Sequence, residues 1–370
     1  MRPRRLAGQP LHLSSPISMS EEPMVGDLSG EKVLLGKEAT EELYEQGSFG
    51  RPVAGGLELT LVEAAYLLDR GRIAVRLDGN ELDFRSLFET ATARETGFEF
   101  KYVVYKDLRE RGYYVQPGVT DFRVYPRGGR PGKTPAEFYV QVISERHPLS
   151  LKELVEPTKV ARQMRKRLML AVVDEESDIT FYEARERGLS GDMKIEAHGG
   201  TATLLEDRVM LWDTEASELL HEEGFYGKPG GGRLQLSLVE SAYLLDKGVI
   251  DVVDRSGNPL TVEEFERRAR LIEEDFDMKR RVYRDLRDRN LVVKTGFKFG
   301  SHFRVYKKVE GSKKVPHSEY LVHAVPEDYV FHLPVVSRAV RLAHSVRKQM
   351  VFARREDGAV KYLEIKRLKP

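Results

Sequence analysis

Cysteine is missing from this 370-residue chain. Its absence excludes disulfides and every thiolate-held zinc or iron–sulfur centre, and suits an intracellular, cytoplasmic protein. Asparagine is scarce, found only at positions 80, 258 and 290, against 60 Lys and Arg and 59 Asp and Glu. That balance leans towards a heat-adapted protein, in which ion pairs rise and labile amides fall. No apolar run approaches the roughly 18–20 residues that a membrane span needs, so no membrane partner is expected. Residues 1–26 have no apolar segment of the secretory type and read as a disordered tail, with Met19 and Met24 as alternative starts.

What is present is charge, unevenly placed. The chain as a whole has a formal net charge of +1. Residues 277–370 carry 23 Lys and Arg against 10 Asp and Glu, net +13, which leaves the remainder at −12. Such asymmetry marks a surface for a polyanion, or a solvated basic face with no partner.

The chain is also written twice. "LTLVEAAYLLDRG" (59–71) recurs as "LSLVESAYLLDKG" (236–248), "VVYKDLRERG" (103–112) as "RVYRDLRDRN" (281–290), and "DFRVY" (121–125) as "HFRVY" (302–306). The offset grows slowly from 177 to 182 residues, so two collinear copies cover nearly everything from about residue 30 onward. Periodicity within each copy predicts helices near 60–70, 82–95, 98–111 and 151–165. Strands are expected near 113–116, 121–126, 137–143, 167–173 and 178–184. The expected fold is α/β (α+β), with two tandem copies of a small N-terminal subdomain followed by a mixed-sheet subdomain. The boundaries read 1–26, 27–97, 98–190, 191–275 and 276–370.

Alternation in "HFRVY" puts Phe303 and Val305 on the core face, leaving Arg304 and Tyr306 outward. A lysine-rich loop (Lys307, Lys308, Lys313, Lys314) then leads to His317. A helix expected over about 335–349 presents Arg338, Arg341, Ser345 and Lys348 as a basic stripe, with Ala339, Leu342, Val346 and Met350 on its apolar side. Each feature alone is common on proteins without catalysis. The earlier copy keeps Tyr125 and Lys166 but has Pro135 where the later has His317, and its residues 99–185 carry only +3. A scaffold needs both copies, whereas a site for a polyanion needs one.

The segments "GFKFGSHFRVY" (296–306), "PHSEYLVHAV" (316–325) and "RAVRLAHSVRKQMVFA" (338–353) resemble the archaeal tRNA-splicing endonucleases, in the two-repeat homodimeric type. The resemblance implies a restriction-endonuclease-like sheet, a structural first unit, and precursor tRNA with a bulge–helix–bulge motif as substrate. It implies that Tyr306 takes the 2′-OH proton, His317 protonates the 5′-oxygen and Lys348 stabilises the phosphate, without metal or cofactor. The products implied are a 2′,3′-cyclic phosphate and a 5′-OH. An imidazole, titrating near neutrality, suits the acid role; a tyrosine needs neighbouring cations to serve as base. The resemblance further implies RNA contacts by Arg341 and Arg367, and an acidic docking loop at Glu327 and Asp328, or at Glu145 of the earlier copy. Arg338 and Arg304 extend the basic face towards RNA. Two rivals stand beside this reading: a metal-dependent nuclease using Glu319, and a non-catalytic RNA-binding subunit.

Overall fold

The computed structural model describes residues 23–193, 199–309 and 316–370. Residues 1–22 of the expected tail (1–26), part of the junction between copies (194–198), and Lys313 and Lys314 lie outside the described residues; the tail was set too long, because Met24–Ser29 is a strand that pairs with Lys32–Leu35. The chain divides into two compact units after Phe98.

The first unit is a six-stranded mixed sheet carrying helices Leu61–Asp69 and Phe84–Arg94. The first helix begins where its sequence supplies a capping box: Thr60 accepts from the Glu63 N–H, and Glu63 Oε2 accepts from the Thr60 N–H. Glu63 is buried, and its other oxygen accepts from Gly50 N at 2.8 Å, so one carboxylate ties helix to loop.

The second unit contains the same motif, between two mixed-sheet halves in chain order. A five-stranded sheet carries helices Thr214–Gly224, Leu238–Asp246 and Val262–Ile272. Ser237 and Glu240 form the matching capping box, and Glu240 likewise accepts from Gly227 N at 3.1 Å. Two mixed-sheet halves of one pattern flank this motif in the chain. The earlier has strands β1 (Val115–Pro117), β2 (Phe122–Val124), β3 (Phe138–Ser144), β4 (Arg167–Val173) and β5 (Ile179–Arg187). The later has β6 (Val292–Thr295), β7 (Phe303–Tyr306), β8 (Tyr320–Ala324), β9 (Gln349–Glu356) and β10 (Ala359–Leu368). Helices α1 (Leu151–Gln163) and α2 (Leu333–Ser345) cross before β4 and β9.

The halves fuse into one ten-stranded sheet, because β5 pairs antiparallel with β10, from Phe181 opposite Leu368 to Arg187 opposite Tyr362. The joint is apolar on one face, where Tyr139, Leu170 and Tyr182 meet Leu321, Phe352 and Leu363 in a common core. Within it sit two buried carboxylates in a crossed arrangement. Glu183 pairs with Lys366 of the opposite strand at 3.1 Å, and Glu364 with Arg185 of the opposite strand at 3.0 Å. A one-residue slip would turn each carboxylate to the other face of the sheet, so the pairs fix the register. Among the described residues no helix is long and apolar enough to cross a membrane.

The mixed α+β plan in tandem pairs is as expected, with most element ends shifted slightly. Helix α2 is the exception. It ends at Ser345, well short of 349, because Arg347 adopts a left-handed backbone (φ 57°). Arg347 N bonds to His344 O and Lys348 N to Ala343 O, which closes the helix. Its buried face is Leu333, Val336, Val340 and Ala343, while Leu342 is 40% exposed. The expected apolar side (Ala339, Leu342, Val346, Met350) was therefore set one residue off for the helical part, and Met350 belongs to β9.

Candidate active site

Strand pairing places the candidate residues in a row at one end of the later half. Val305 pairs with Tyr320, and Tyr320 with Gln349. Stepping one residue towards that end puts Tyr306, Glu319 and Lys348 abreast on three adjacent strand ends, with strands about 4.8 Å apart. His317 lies two residues beyond Glu319 and is exposed.

Lys348 is held by geometry the helix closure provides. Its ammonium donates to Ser318 O at 3.0 Å, directly beside His317, and lies 5.6 Å from the centre of the Phe299 ring. Burial lowers its pKa from the ordinary lysine value; Arg304 and Lys298 push it further down, against the pull of Glu319. Lys348 therefore sits just past the helix rather than on its basic stripe. Arg338 and Arg341 do lie exposed on that helix, with Arg341 Nη2 3.4 Å from Ser337 Oγ.

Tyr306 departs from the expected outward position. It is 3% exposed and packs with Phe225, Val292 and Val309. Phe225 meets it edge to face at 6.2 Å and comes from the preceding subdomain, 81 residues away in sequence, so alternation could not reveal it. Arg304 lies 6.0 Å from the ring centre. Burial raises the phenol's pKa above its ordinary value, Arg304 opposes this, and Glu319 adds to it. The neighbouring cation that a tyrosine base needs is present, but burial outweighs it. No described hydrogen bond joins Tyr306 to His317; Glu319, abreast of Tyr306, accepts at its Oε2 from Lys307 N at 3.1 Å.

Two polar atoms of this neighbourhood, Arg304 Nε and Ser318 Oγ, are buried without a hydrogen-bond partner among the described residues. Unsatisfied buried groups are uncommon in folded proteins and favour a region that gains a partner from outside. Arg304 and Lys298 act on Lys348 against a single carboxylate, Glu319, so cations outnumber acids here, an arrangement suited to an anion. Among the described residues no group of three or more His, Cys, Asp or Glu could hold a metal ion.

Arg367 is exposed on β10, opposite Tyr182, at the joint and three strands from β7. It has no described hydrogen bond or ring contact with Tyr306, His317 or Lys348. Glu327 and Asp328 are exposed in the turn after β8, with Glu327 3.9 Å from Arg355 of the same half. Lys298 and Phe299 were passed over by the sequence reading, although they lie inside a quoted motif; a longer hairpin loop in the later copy was the signal that could have found them.

Comparison with known proteins bears on the two-copy organisation of the chain. A family model described as the tRNA intron endonuclease catalytic C-terminal domain matches twice, at residues 98–181 and 276–362. A second, described as the tRNA intron endonuclease N-terminal domain, matches at 24–88 and 200–266. The tRNA-splicing endonuclease of Methanococcoides burtonii is 53% identical over 350 residues, covering 94% of this chain and all of the relative. That of Methanosarcina mazei is 56% identical over 345 residues, covering 92% and 98%. That of Halobacterium salinarum is 40% identical over 367 residues, covering 94% and 100%. The chain belongs to the tRNA-splicing endonuclease family.

Proposed function

We propose that this enzyme removes introns from precursor tRNA by cutting both strands of a bulge–helix–bulge motif, using His317, Lys348 and Tyr306 of the later copy and no metal. The observation that carries this reading is the Lys348 ammonium on the carbonyl beside His317, one strand from Tyr306, in only one of two otherwise parallel halves. RNA brings its own nucleophile. The 2′-oxygen attacks phosphorus, the bond from phosphorus to the 5′-oxygen breaks, and a 2′,3′-cyclic phosphate and a 5′-OH result. The proton leaving the 2′-OH passes to Tyr306, and the departing 5′-oxygen takes a proton from His317.

Tyr306 holds its own proton at neutral pH, because burial raises its pKa. Its neutral form orients the 2′-OH, and only its small ionised fraction, favoured by Arg304, acts as base. Lys348 offsets the second negative charge that grows on the phosphoryl oxygens, a role in which one donor is typically worth about 10²–10³-fold. Since one chain offers one such set, two cuts call for two chains, and a homodimer is part of the reading. Arg338 and Arg341 extend the basic surface away from the reaction centre, Arg367 would reach RNA from the joint, and Glu327 and Asp328 would dock the second subunit.

The test is incubation of the purified protein with a bulge–helix–bulge RNA in EDTA, with the end groups of the fragments identified. The expected result is cleavage to cyclic phosphate and 5′-OH ends, slowed about 10²–10⁴-fold by His317→Ala with RNA binding retained. Cleavage abolished by EDTA, or 5′-phosphate ends, would favour the metal-dependent rival. An unchanged rate in His317→Ala would leave only an RNA-binding protein.

A further inference from the structure

The hairpin leading into Tyr306 differs between the two copies. In the earlier half, β1 and β2 are closed by the four residues between Pro117 and Phe122. In the later half, the seven residues between Thr295 and Phe303 join β6 to β7. The longer loop reads "GFKFGSH", and it contains the turn Phe297–Phe299. Like His317, this aromatic turn occurs only in the copy that carries the candidate site.

The turn is rigid and displays one ring to solvent. Phe297 is 88% exposed, whereas Phe299 packs against the core of the joined halves. Gly300 N bonds to Phe297 O at 3.0 Å, Phe299 N to Gly296 O at 2.8 Å, and Gly296 N to His302 O at 2.9 Å. A Cβ at Gly296 would fall 2.4 Å from Ser301 Oγ and 2.8 Å from Phe303 backbone, so the loop admits only glycine there without rearrangement. Gly300 supplies the left-handed residue that ends the turn (φ 64°). The turn also abuts the reaction centre: Lys298 and Lys348 lie 5.0 and 5.6 Å from the centre of the Phe299 ring.

Exposing a whole aromatic ring to water is unfavourable, and fixing it there gains nothing for folding. Proteins that bind unpaired nucleotides use such rings as platforms, because every base has a π-face. RNA bulges in particular offer splayed bases to aromatic side chains. We infer that Phe297 is a stacking platform for an unpaired bulge base flanking the scissile phosphate, with Lys298 meeting the adjoining backbone. The inference rests on the reading that bulged RNA is the substrate. Phe297 acts as a positioning residue: it touches the substrate away from the reacting atoms and sets how the phosphate enters the row of Tyr306, Glu319 and Lys348.

The experiment compares Phe297→Ala and Phe297→Trp with the parent, using a bulge–helix–bulge RNA and a fully paired RNA of equal length. Phe297→Ala is expected to weaken binding of the bulged RNA about tenfold or more, within the range that one stacked base is worth, and to leave the paired RNA unaffected. The single-turnover rate at saturating RNA should change far less than the affinity. Phe297→Trp should restore affinity, and the emission of the new indole should be quenched by bulged RNA, with the parent correcting for Trp212. Equal affinity of parent and Phe297→Ala for the bulged RNA would overturn the inference, as would equal losses on both RNAs. So would a change in sedimentation of Phe297→Ala, which would mean that the ring covers a second copy of the chain. A parent that neither binds nor cuts bulged RNA would overturn the function itself; a parent that does both while Phe297→Ala matches it would overturn only the platform.

Discussion

The two mixed-sheet halves of this chain are near-copies in backbone and differ in what they leave available. In the earlier half the same row exists, with Tyr125, Glu137 and Lys166 abreast on adjacent strand ends. There two of the three polar groups are held by neighbours. The Tyr125 hydroxyl donates to Gln116 Oε1 at 2.8 Å, and Glu137 is paired with Arg167 at 2.5 Å. In the later half the position of Gln116 is taken by Lys294, whose ammonium turns away to Phe225 O, Gly227 O and Glu240. The position of Arg167 is taken by Gln349, whose side chain accepts from Arg187. Under the proposed function, catalytic competence depends on which polar groups the surrounding structure leaves unspent, and the missing histidine is only its most visible sign.

Substituting the lysines tests the largest difference. Lys348→Ala is expected to slow cleavage about 10²–10³-fold, and Lys166→Ala to leave the single-turnover rate unchanged. The pH profile refines this. Burial and Arg304 lower the Lys348 pKa, so its charge is lost as pH rises through that lowered value. Activity should therefore decline on the alkaline side before the ordinary lysine pKa of about 10.4. Lys348→Arg should move that decline upward. A profile that rises steadily to pH 10.4 would show that ionisation of Tyr306 outweighs loss of the lysine charge.

A smaller contrast concerns the root of the hairpin loop. In the earlier half Asp121 Oδ2 accepts from Val142 N at 2.7 Å; in the later half His302 Nδ1 accepts from Ala324 N at 3.0 Å. The same backbone group is served by a carboxylate in one copy and an imidazole in the other. Burial, then the stacked His323 (4.0 Å) and Lys279, pushes the His302 pKa down to about 4, against the pull of Asp275. The unfolded chain, with His near 6.5, then binds more protons than the folded chain between those two values. Stability is full above pH about 6.5 and is lost as pH falls towards 4, by on the order of 3 kcal/mol at most. Hydrogen exchange should show the 292–306 hairpin opening over that interval while the 115–124 hairpin stays closed. His302→Gln should flatten the dependence; equal acid lability of both hairpins would refute the contrast.

Much of this was legible from sequence, for reasons that can be named. The duplication could be read by comparing the chain with itself, and the helical and strand periodicities are local signals that set local structure. The failures were non-local. Tyr306 is buried by Phe225, which no strand periodicity can report. Helix α2 stops where Arg347, not glycine, takes a left-handed conformation, so the usual stop signal was absent and Lys348 was counted into the helix. The β5–β10 joint, with Glu183 and Glu364 crossed at its centre, links strands whose partners lie in different copies. Pairwise comparison of the copies located the candidate site; only the fold showed which of the matching polar groups in the earlier copy are paired.

The most direct test moves the histidine. A Pro135→His, His317→Pro double variant carries the same residues in exchanged copies, and its single-turnover cleavage of a bulge–helix–bulge RNA can be measured in EDTA beside the parent. The account predicts no detectable cutting despite retained RNA binding, because Tyr125 and Glu137 remain tied to Gln116 and Arg167. Cleavage approaching the parental rate would show that the histidine alone distinguishes the copies, and would contradict it.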